Sequence, residues 1–103
     1  TRHETSYQIH LSLAESLYQL SRFEEALEYS DLAESYSGYS PSARVDVLYT
    51  KACTLYRLGR DLEANAACEA ALEIDSEHAA TNELLDLLKQ RTSNDGQDKE
   101  AAA

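Results

Sequence analysis

The feature that most constrains this chain of 103 residues is an internal repeat, because the sequence matches itself when it is shifted by 38 positions. A repeat of about 20–50 residues with two helices per unit predicts a solenoid, in which stacked units bury the apolar side that one unit cannot bury alone. The identical pairs are Ala14 with Ala52, Leu17 with Leu55, Tyr18 with Tyr56, Leu20 with Leu58, Arg22 with Arg60, Glu25 with Glu63, Ala26 with Ala64 and Ala33 with Ala71.

Apolar residues recur at steps of three and four along most of the chain, which predicts an all-α fold of five helices. The first helix is expected from about Glu4 to Leu20, with Tyr7, Leu11 and Tyr18 on its inner face. Each later helix has a residue type that can cap its amino end. These caps are Ser21 in a capping box with Glu24, Ser40 before Pro41, Asp61 after the stop at Gly59, and Ser76.

The core is predicted from small residues where paired helices approach closely and from larger apolar residues beside them. Ala14 and Ala26 form one such contact, and Ala52 and Ala64 form the equivalent one. The other expected core residues are Leu17, Leu20, Phe23, Leu27, Ala33, Val45, Leu48, Leu55, Leu62, Ala67, Cys68, Ala71, Leu72, Leu84, Leu85, Leu87 and Leu88.

One repeat domain is predicted over residues 1–91, with a first unit at about 4–38, a second at 41–76 and a capping helix at 77–91. Residues 92–103 have no apolar anchor, so we expect a disordered acidic tail. Its closing Ala101 to Ala103 fits either a native end or a cloning remnant. Because the chain lacks Met and opens on Thr1, we expect it to be part of a longer protein.

In this pattern the chain, from about Tyr7 to Arg91, resembles the tetratricopeptide repeat family, whose unit is normally about 34 residues long. The resemblance implies an α-α superhelix of two helical hairpins and a capping helix. The positions that match are Leu13 with Ala14 at the Leu-Gly of the family, Leu17 and Leu55 at its Tyr, and Ala26, Ala33, Ala64 and Ala71 at its two Ala positions, with Ala52 repeating Ala14. The departures are Ser30 and Cys68 at its aromatic, His10 and Leu48 at its Trp, and Gly38 and Ser76 at its closing Pro.

The resemblance implies an adaptor or scaffold that binds a peptide or helix of a partner protein in a concave groove formed by the first helix of each unit. Tyr18, Tyr49 and Tyr56 would provide affinity, and Tyr18 and Tyr56 fit equally well a role in covering the junction between hairpins. Charge selection would come from Glu15, Asp46 and Arg57. The implied partner-binding residues are Leu11, Glu15, Tyr18, Gln19, Asp46, Tyr49, Thr50, Cys53, Tyr56 and Arg57.

Some members of this family grip the carboxylate tail of chaperones through a Lys and two Asn in the groove. The resemblance puts Leu11, Glu15 and Thr50 at these positions. None of the three carries a positive charge, and Glu15 would repel a carboxylate. A chaperone-tail clamp is therefore disfavoured.

The acidic composition narrows the choice of partner. Nine Lys and Arg against 19 Asp and Glu give a net charge of −10, which repels nucleic acid and anionic membrane surfaces. No apolar run reaches the length of about 18 residues that a membrane-spanning helix needs. We therefore expect a neutral or basic protein ligand. Two cysteines without CxxC spacing and the lack of a signal peptide favour a cytoplasmic location.

Catalytic and metal chemistry are not indicated. His3, His10 and His78 are far apart in sequence, and Cys53 has no neighbouring His, so we expect no enzyme, metal or cofactor. Two alternatives stay open: an assembly element that stacks with further repeats or with itself and leaves the groove empty, and an arm cut from a larger enzyme.

Overall fold

The computed structural model describes the backbone of residues 2–37 and 40–102, and the side chains of residues 5–37 and 40–91. All regular structure in these ranges is helical, which confirms the all-α class. The helices are α1 (Arg2–Gln19), α2 (Phe23–Tyr36), α3 (Pro41–Arg57), α4 (Asp61–Ile74) and α5 (Ala79–Ala102).

The helices pack mainly against their neighbours in sequence. Helix α1 pairs with α2, and α3 pairs with α4. Contacts between α2 and α3 join the two pairs, and α4 contacts α5. In addition α1 contacts α3, and α3 contacts α5, so the first helix of each pair lies beside the first helix of the next. This row of three helices forms the surface on which the candidate site lies.

The turns that close α1 and α3 lie at equivalent positions of the two units and have the same backbone geometry. Ser21 and Gly59 both adopt the left-handed conformation, with φ of 62° and 77°. At each turn this residue donates its N–H to the carbonyl three residues earlier, and the next residue donates to the carbonyl five residues earlier, which is a Schellman motif. The four bonds are Ser21 to Tyr18 (3.0 Å), Arg22 to Leu17 (2.9 Å), Gly59 to Tyr56 (3.1 Å) and Arg60 to Leu55 (2.9 Å).

This geometry corrects the expected caps of α2 and α4. Ser21 ends α1 instead of capping α2, and Arg22 and Arg60 occupy the two N-cap positions. Neither arginine side chain caps its helix. Each guanidinium donates two hydrogen bonds to the carboxylate three residues later, and the nitrogen–oxygen distances lie between 2.7 and 3.0 Å. The acceptors are Glu25 and Glu63.

The other expected caps have different outcomes. Ser40 caps α3 as predicted, because its hydroxyl accepts from the Ala43 N–H at 3.3 Å. Ser76 lies too early in the chain to cap α5. The His78 ring takes that role, accepting from the Thr81 N–H at 3.4 Å, while Asn82 donates to the His78 carbonyl.

The predicted burial of the alanines is confirmed, because all six alanines of the repeat are fully buried. These are Ala14, Ala26, Ala33, Ala52, Ala64 and Ala71. Leu20, Leu62 and Leu87 are exposed, contrary to the prediction. Leu20 follows the last residue of α1, and Leu87 lines a surface groove between α5 and α3.

The backbone of α5 continues as helix from Arg91 to Ala102, over the residues for which the sequence predicts a tail. No proline interrupts this segment, and its Gln, Lys, Glu and Ala residues favour helix. The predicted loop residues Gly38 and Tyr39 lie outside the described residues.

Candidate binding groove

A groove runs across α1, α3 and α5, and we call it the tyrosine groove. Its two sections share Tyr18, Tyr49 and Cys53, so they form one continuous surface. The first section has a volume of about 230 Å³ and is also lined by Glu15, Gln19 and Thr50. The second, of about 240 Å³, is also lined by Tyr56, Arg57, Ala80, Glu83, Leu84 and Leu87.

The structure brings eight of the ten predicted binding residues together in this groove, and it places the other two elsewhere. Leu11 packs against the buried cluster that includes Tyr7 and Val47, between α1 and α3. Asp46 accepts a hydrogen bond from the Tyr7 hydroxyl at 3.3 Å. It lines a separate cavity together with His78. Neither residue lines the tyrosine groove.

Tyr18 lies at the junction between the first two helical pairs. Its ring meets the Phe23 ring edge to face, with centroids 5.4 Å apart. The Arg57 guanidinium carbon lies 5.8 Å from the centroid of Tyr18 and 4.8 Å from that of Phe23. A cation at this distance is attracted to the negative face of an aromatic ring. Tyr18 therefore helps to join α3 to the first pair while part of its ring still lines the groove.

Tyr56 occupies the equivalent position at the next junction, where the covering cation is Arg91 from α5. The Arg91 guanidinium carbon lies 3.9 Å from the centroid of the Tyr56 ring. Its Nη2 donates to the Tyr56 carbonyl at 2.9 Å and to Asp61 Oδ1, and its Nε donates to Asp61 Oδ2 at 3.0 Å. One face of Tyr56 is thus occupied within the protein itself.

Tyr49 and Cys53 form the middle of the groove and remain uncharged at neutral pH. A hydrogen bond with Cys53, together with burial, raises the pKa of Tyr49 to about 12. Burial raises the pKa of the Cys53 thiol above its ordinary value, even though the hydrogen bond with Tyr49 works in the opposite direction. The His78 ring meets the Tyr49 ring edge to face at 5.6 Å. The centre of the groove is therefore aromatic and neutral, and its thiol is a weak nucleophile.

One carboxylate lines each section of the groove. Glu15 lies in the first section and Glu83 in the second, and both are exposed to solvent. Arg57 is the cation among the lining residues, and it lies over Tyr18 and Phe23. An aromatic surface with a carboxylate in each section suits a ligand that combines an apolar or aromatic residue with basic residues.

The contribution of α5 to the groove does not follow from the repeat that the sequence shows most clearly. Ala80, Glu83, Leu84 and Leu87 complete the second section, and Arg91 fixes the junction beside it. One signal in the sequence does point to this helix. Arg91 follows Arg57 by about 34 residues, the ordinary unit length of the tetratricopeptide family. This spacing is shorter than the shift of 38 positions that aligns the two helical pairs. If the resemblance holds, that shorter spacing would make α5 the counterpart of α3.

Neither a metal site nor a membrane-spanning helix is found in the described part of the chain. Among these residues, no group of three His, Cys, Asp or Glu side chains is placed to hold a metal ion. No helix formed by the same residues combines the length and the hydropathy that crossing a bilayer requires. Comparison with known proteins gives no match, since no family model, no curated protein and no solved structure is significantly similar to this chain.

Proposed function

We propose that this chain is a non-catalytic protein-interaction module, an adaptor or scaffold of tetratricopeptide type, that binds a peptide segment of a partner protein in the tyrosine groove. The observation that carries the proposal is the convergence of eight predicted residues from α1 and α3 on one continuous groove. The resemblance in sequence motivates the family assignment and the superhelical arrangement.

The aromatic lining gives the groove a means of binding. Tyr49 is half-buried, and the Tyr18 ring is partly exposed beside it. Tyrosine rings in such positions bury apolar surface against a ligand at low cost in conformational entropy, and their hydroxyl groups stay hydrated. Tyr56 contributes less, because Arg91 already covers one of its faces.

Charge defines the class of ligand. Glu15 and Glu83 add local negative potential to a chain whose net charge is −10. A segment with Lys or Arg on either side of an apolar residue would match this distribution, whereas an acidic segment or a free carboxylate would be repelled. We therefore propose a basic peptide as the ligand, with nucleic acid and anionic membranes excluded as partners by the same charge.

The chemistry of the residues that line the tyrosine groove favours a binding role over a catalytic one. The thiol in the groove has a raised pKa, and no His is among the described residues that line either section. Efficient nucleophilic catalysis needs an activated nucleophile beside a base. We also propose a reducing compartment such as the cytoplasm, supported by the two unpaired thiols, Cys53 and Cys68.

The test is a selection of short peptides from a random displayed library against the immobilised full chain. We expect enriched peptides to carry Lys or Arg around an apolar residue. Their affinity should fall about tenfold at low salt in the double variant Glu15→Gln, Glu83→Gln, since each lost charge pair contributes about 0.7 kcal/mol. Fluorescence anisotropy of labelled peptides measures the change.

A matched control makes this test specific to the groove. The double variant Glu24→Gln, Glu28→Gln removes the same charge from exposed positions on α2, outside the groove lining. We expect it to bind the selected peptides as the unchanged chain does. Enrichment of acidic peptides, or equal losses in the two double variants, would contradict the proposal.

A further inference from the structure

Helix α1 has an apolar face that no other described helix covers. Ile9 is 54% exposed and Leu13 is 42% exposed, and Leu20 continues the same face. A shallow depression of about 370 Å³ lies along it, lined by Gln8, Ile9, Ser12, Leu13 and Ser16. None of these residues is charged, although the chain carries a net charge of −10. Exposed apolar side chains beside uncharged polar ones thus form a surface without charge on an acidic chain, which makes this face a candidate interaction site.

The repeat shows that the equivalent face of α3 is an interface. Val47 is the counterpart of Ile9 in the second unit, and Thr54 is the counterpart of Ser16. Val47 and Thr54 are fully buried. Val47 packs with Ala33 of α2 in one cluster, so this face of α3 is closed by the preceding helical pair. The exposed face of α1 is therefore the counterpart of a face of α3 that another helix of the chain buries.

The charges differ between the two faces and decide what can cover α1. At the α3 interface, Lys51 forms ion pairs with Asp31 at 2.9 Å and Glu34 at 3.1 Å on α2. Burial alone would lower the pKa of Lys51, but its hydrogen bonds to both carboxylates outweigh burial and raise the pKa. The counterpart of Lys51 in the first unit is Leu13. Among the side chains that the structure describes, this face of α1 offers no cation to an acidic cover like α2, so the matching surface is one that is apolar and uncharged.

We propose that this face binds the same face of a second copy of the chain, forming a two-fold symmetric dimer through α1. Ile9, Leu13, Ser16 and Leu20 follow at intervals of four, three and four residues, which is the spacing of the core positions of a coiled coil. Ser16 is small and permits close approach of two helices. The opposite end of the molecule is unsuited to head-to-tail contact, because Asn82, Asp86 and Lys89 of α5 are exposed and polar.

The dimer leaves the tyrosine groove accessible. Glu15 and Tyr18 line the groove from another side of α1, and the groove shares no lining residue with the apolar depression. One face of a single helix buries less than the roughly 1,200 Å² typical of a stable interface, so the dissociation constant should be on the order of 10–100 µM. Self-association here is independent of the groove proposal.

The experiment is sedimentation velocity of the full chain from about 10 µM to 1 mM in 150 mM NaCl. We expect a reversible monomer–dimer equilibrium. Leu13→Lys should weaken it more than tenfold, because the substitution places two like charges in the interface. The control is Leu32→Lys on α2, where the leucine is 45% exposed and the change in net charge is identical. We expect this control to dimerise as the unchanged chain does.

A chain that stays monomeric to 1 mM would overturn the proposal, as would equal dimerisation of Leu13→Lys and the unchanged chain. Cysteine cross-linking tests the geometry without removing an apolar residue. In a Cys53→Ser background, Ser16→Cys should form an intermolecular disulfide under mild oxidation, whereas Ser35→Cys on α2 should not. Cross-linking of the two variants at the same rate would also overturn the two-fold contact.

Discussion

The two helical pairs are built on the same positions but are joined to the next helix in different ways. At the first junction Arg57 lies over two rings, Tyr18 and Phe23. At the second junction Arg91 lies over Tyr56 and forms a two-point ion pair with Asp61, which takes the place of Phe23 in the second unit. A single exchange of Phe for Asp thus changes a purely aromatic contact into a charge-assisted one.

The different contacts of Arg57 and Arg91 imply that the two junctions differ in rigidity. Charge-assisted hydrogen bonds in a partly buried site are directional and stronger than a contact between a cation and partly exposed rings. The second junction therefore fixes α5 in place, whereas the first leaves Tyr18 adaptable beside the centre of the groove. We expect ligand contacts to concentrate on Tyr18 and Tyr49.

The largest predicted effect comes from breaking the second junction with Arg91→Ala. The substitution leaves the Asp61 carboxylate without its partner and uncovers Tyr56, so the free energy of unfolding should fall by about 2 kcal/mol. Arg57→Ala at the first junction should cost less, about 0.5–1 kcal/mol. Urea denaturation followed by circular dichroism measures both, and equal losses would remove the distinction between the junctions.

A smaller and opposite pair of effects is expected at the two left-handed turns. Ser21→Gly should stabilise the protein by about 0.5–1 kcal/mol, because glycine adopts positive φ without strain. Gly59→Ser should destabilise it by a similar amount. No neighbouring atom lies within 4 Å of the position that a Cβ would take at Gly59, so the cost is conformational alone. Thermal unfolding of the single and double variants tests this, and the double variant should unfold near the temperature of the unchanged chain.

The smallest perturbation concerns the cysteines, both of which belong to the second pair. Burial raises the pKa of Cys68 to about 11, and it raises that of Cys53 by an amount that leaves the thiol protonated at neutral pH. Iodoacetamide should modify the half-buried Cys53 slowly near neutral pH, and faster as pH rises and the thiolate forms. Cys68 should not react in the folded protein.

Mass spectrometry of the alkylated chain follows this reaction at each thiol. A selected peptide bound in the groove should protect Cys53, and the Glu15→Gln, Glu83→Gln variant should lose that protection. Rapid modification of Cys53 at neutral pH would show that its environment is more exposed than the structure indicates.

Much of the fold could be predicted because the repeat imposes two independent constraints on each position. The helices, the buried alanines and the inward residues of α3 follow from spacing that occurs twice. The caps were harder to predict, because Ser21 resembles an amino-terminal cap in its local sequence. Its true role is visible only by comparison with Gly59, where glycine at the same position indicates a left-handed residue.

The groove could be predicted only on the sides formed by the repeat. Eight residues of α1 and α3 follow from their register, whereas the wall formed by α5 obeys the shorter spacing that relates Arg91 to Arg57. Asp46 and Leu11 lie outside the groove lining, since register defines the face of a helix but not which neighbour reaches that face first. The Tyr7 hydroxyl meets Asp46, and a buried cluster takes Leu11.

The anchoring of α5 by Arg91 would link the docking of this helix to the affinity of the proposed peptide ligand. Glu83 and Leu87 lie on the helix that Arg91 fixes, so a molecule whose α5 has detached lacks one wall of the groove. The apparent dissociation constant of a ligand equals its intrinsic value divided by the docked fraction. A bound peptide must in turn draw α5 back into place, since coupling between two binding events acts equally in both directions. One arginine outside the groove lining would thereby set the sensitivity of the whole module.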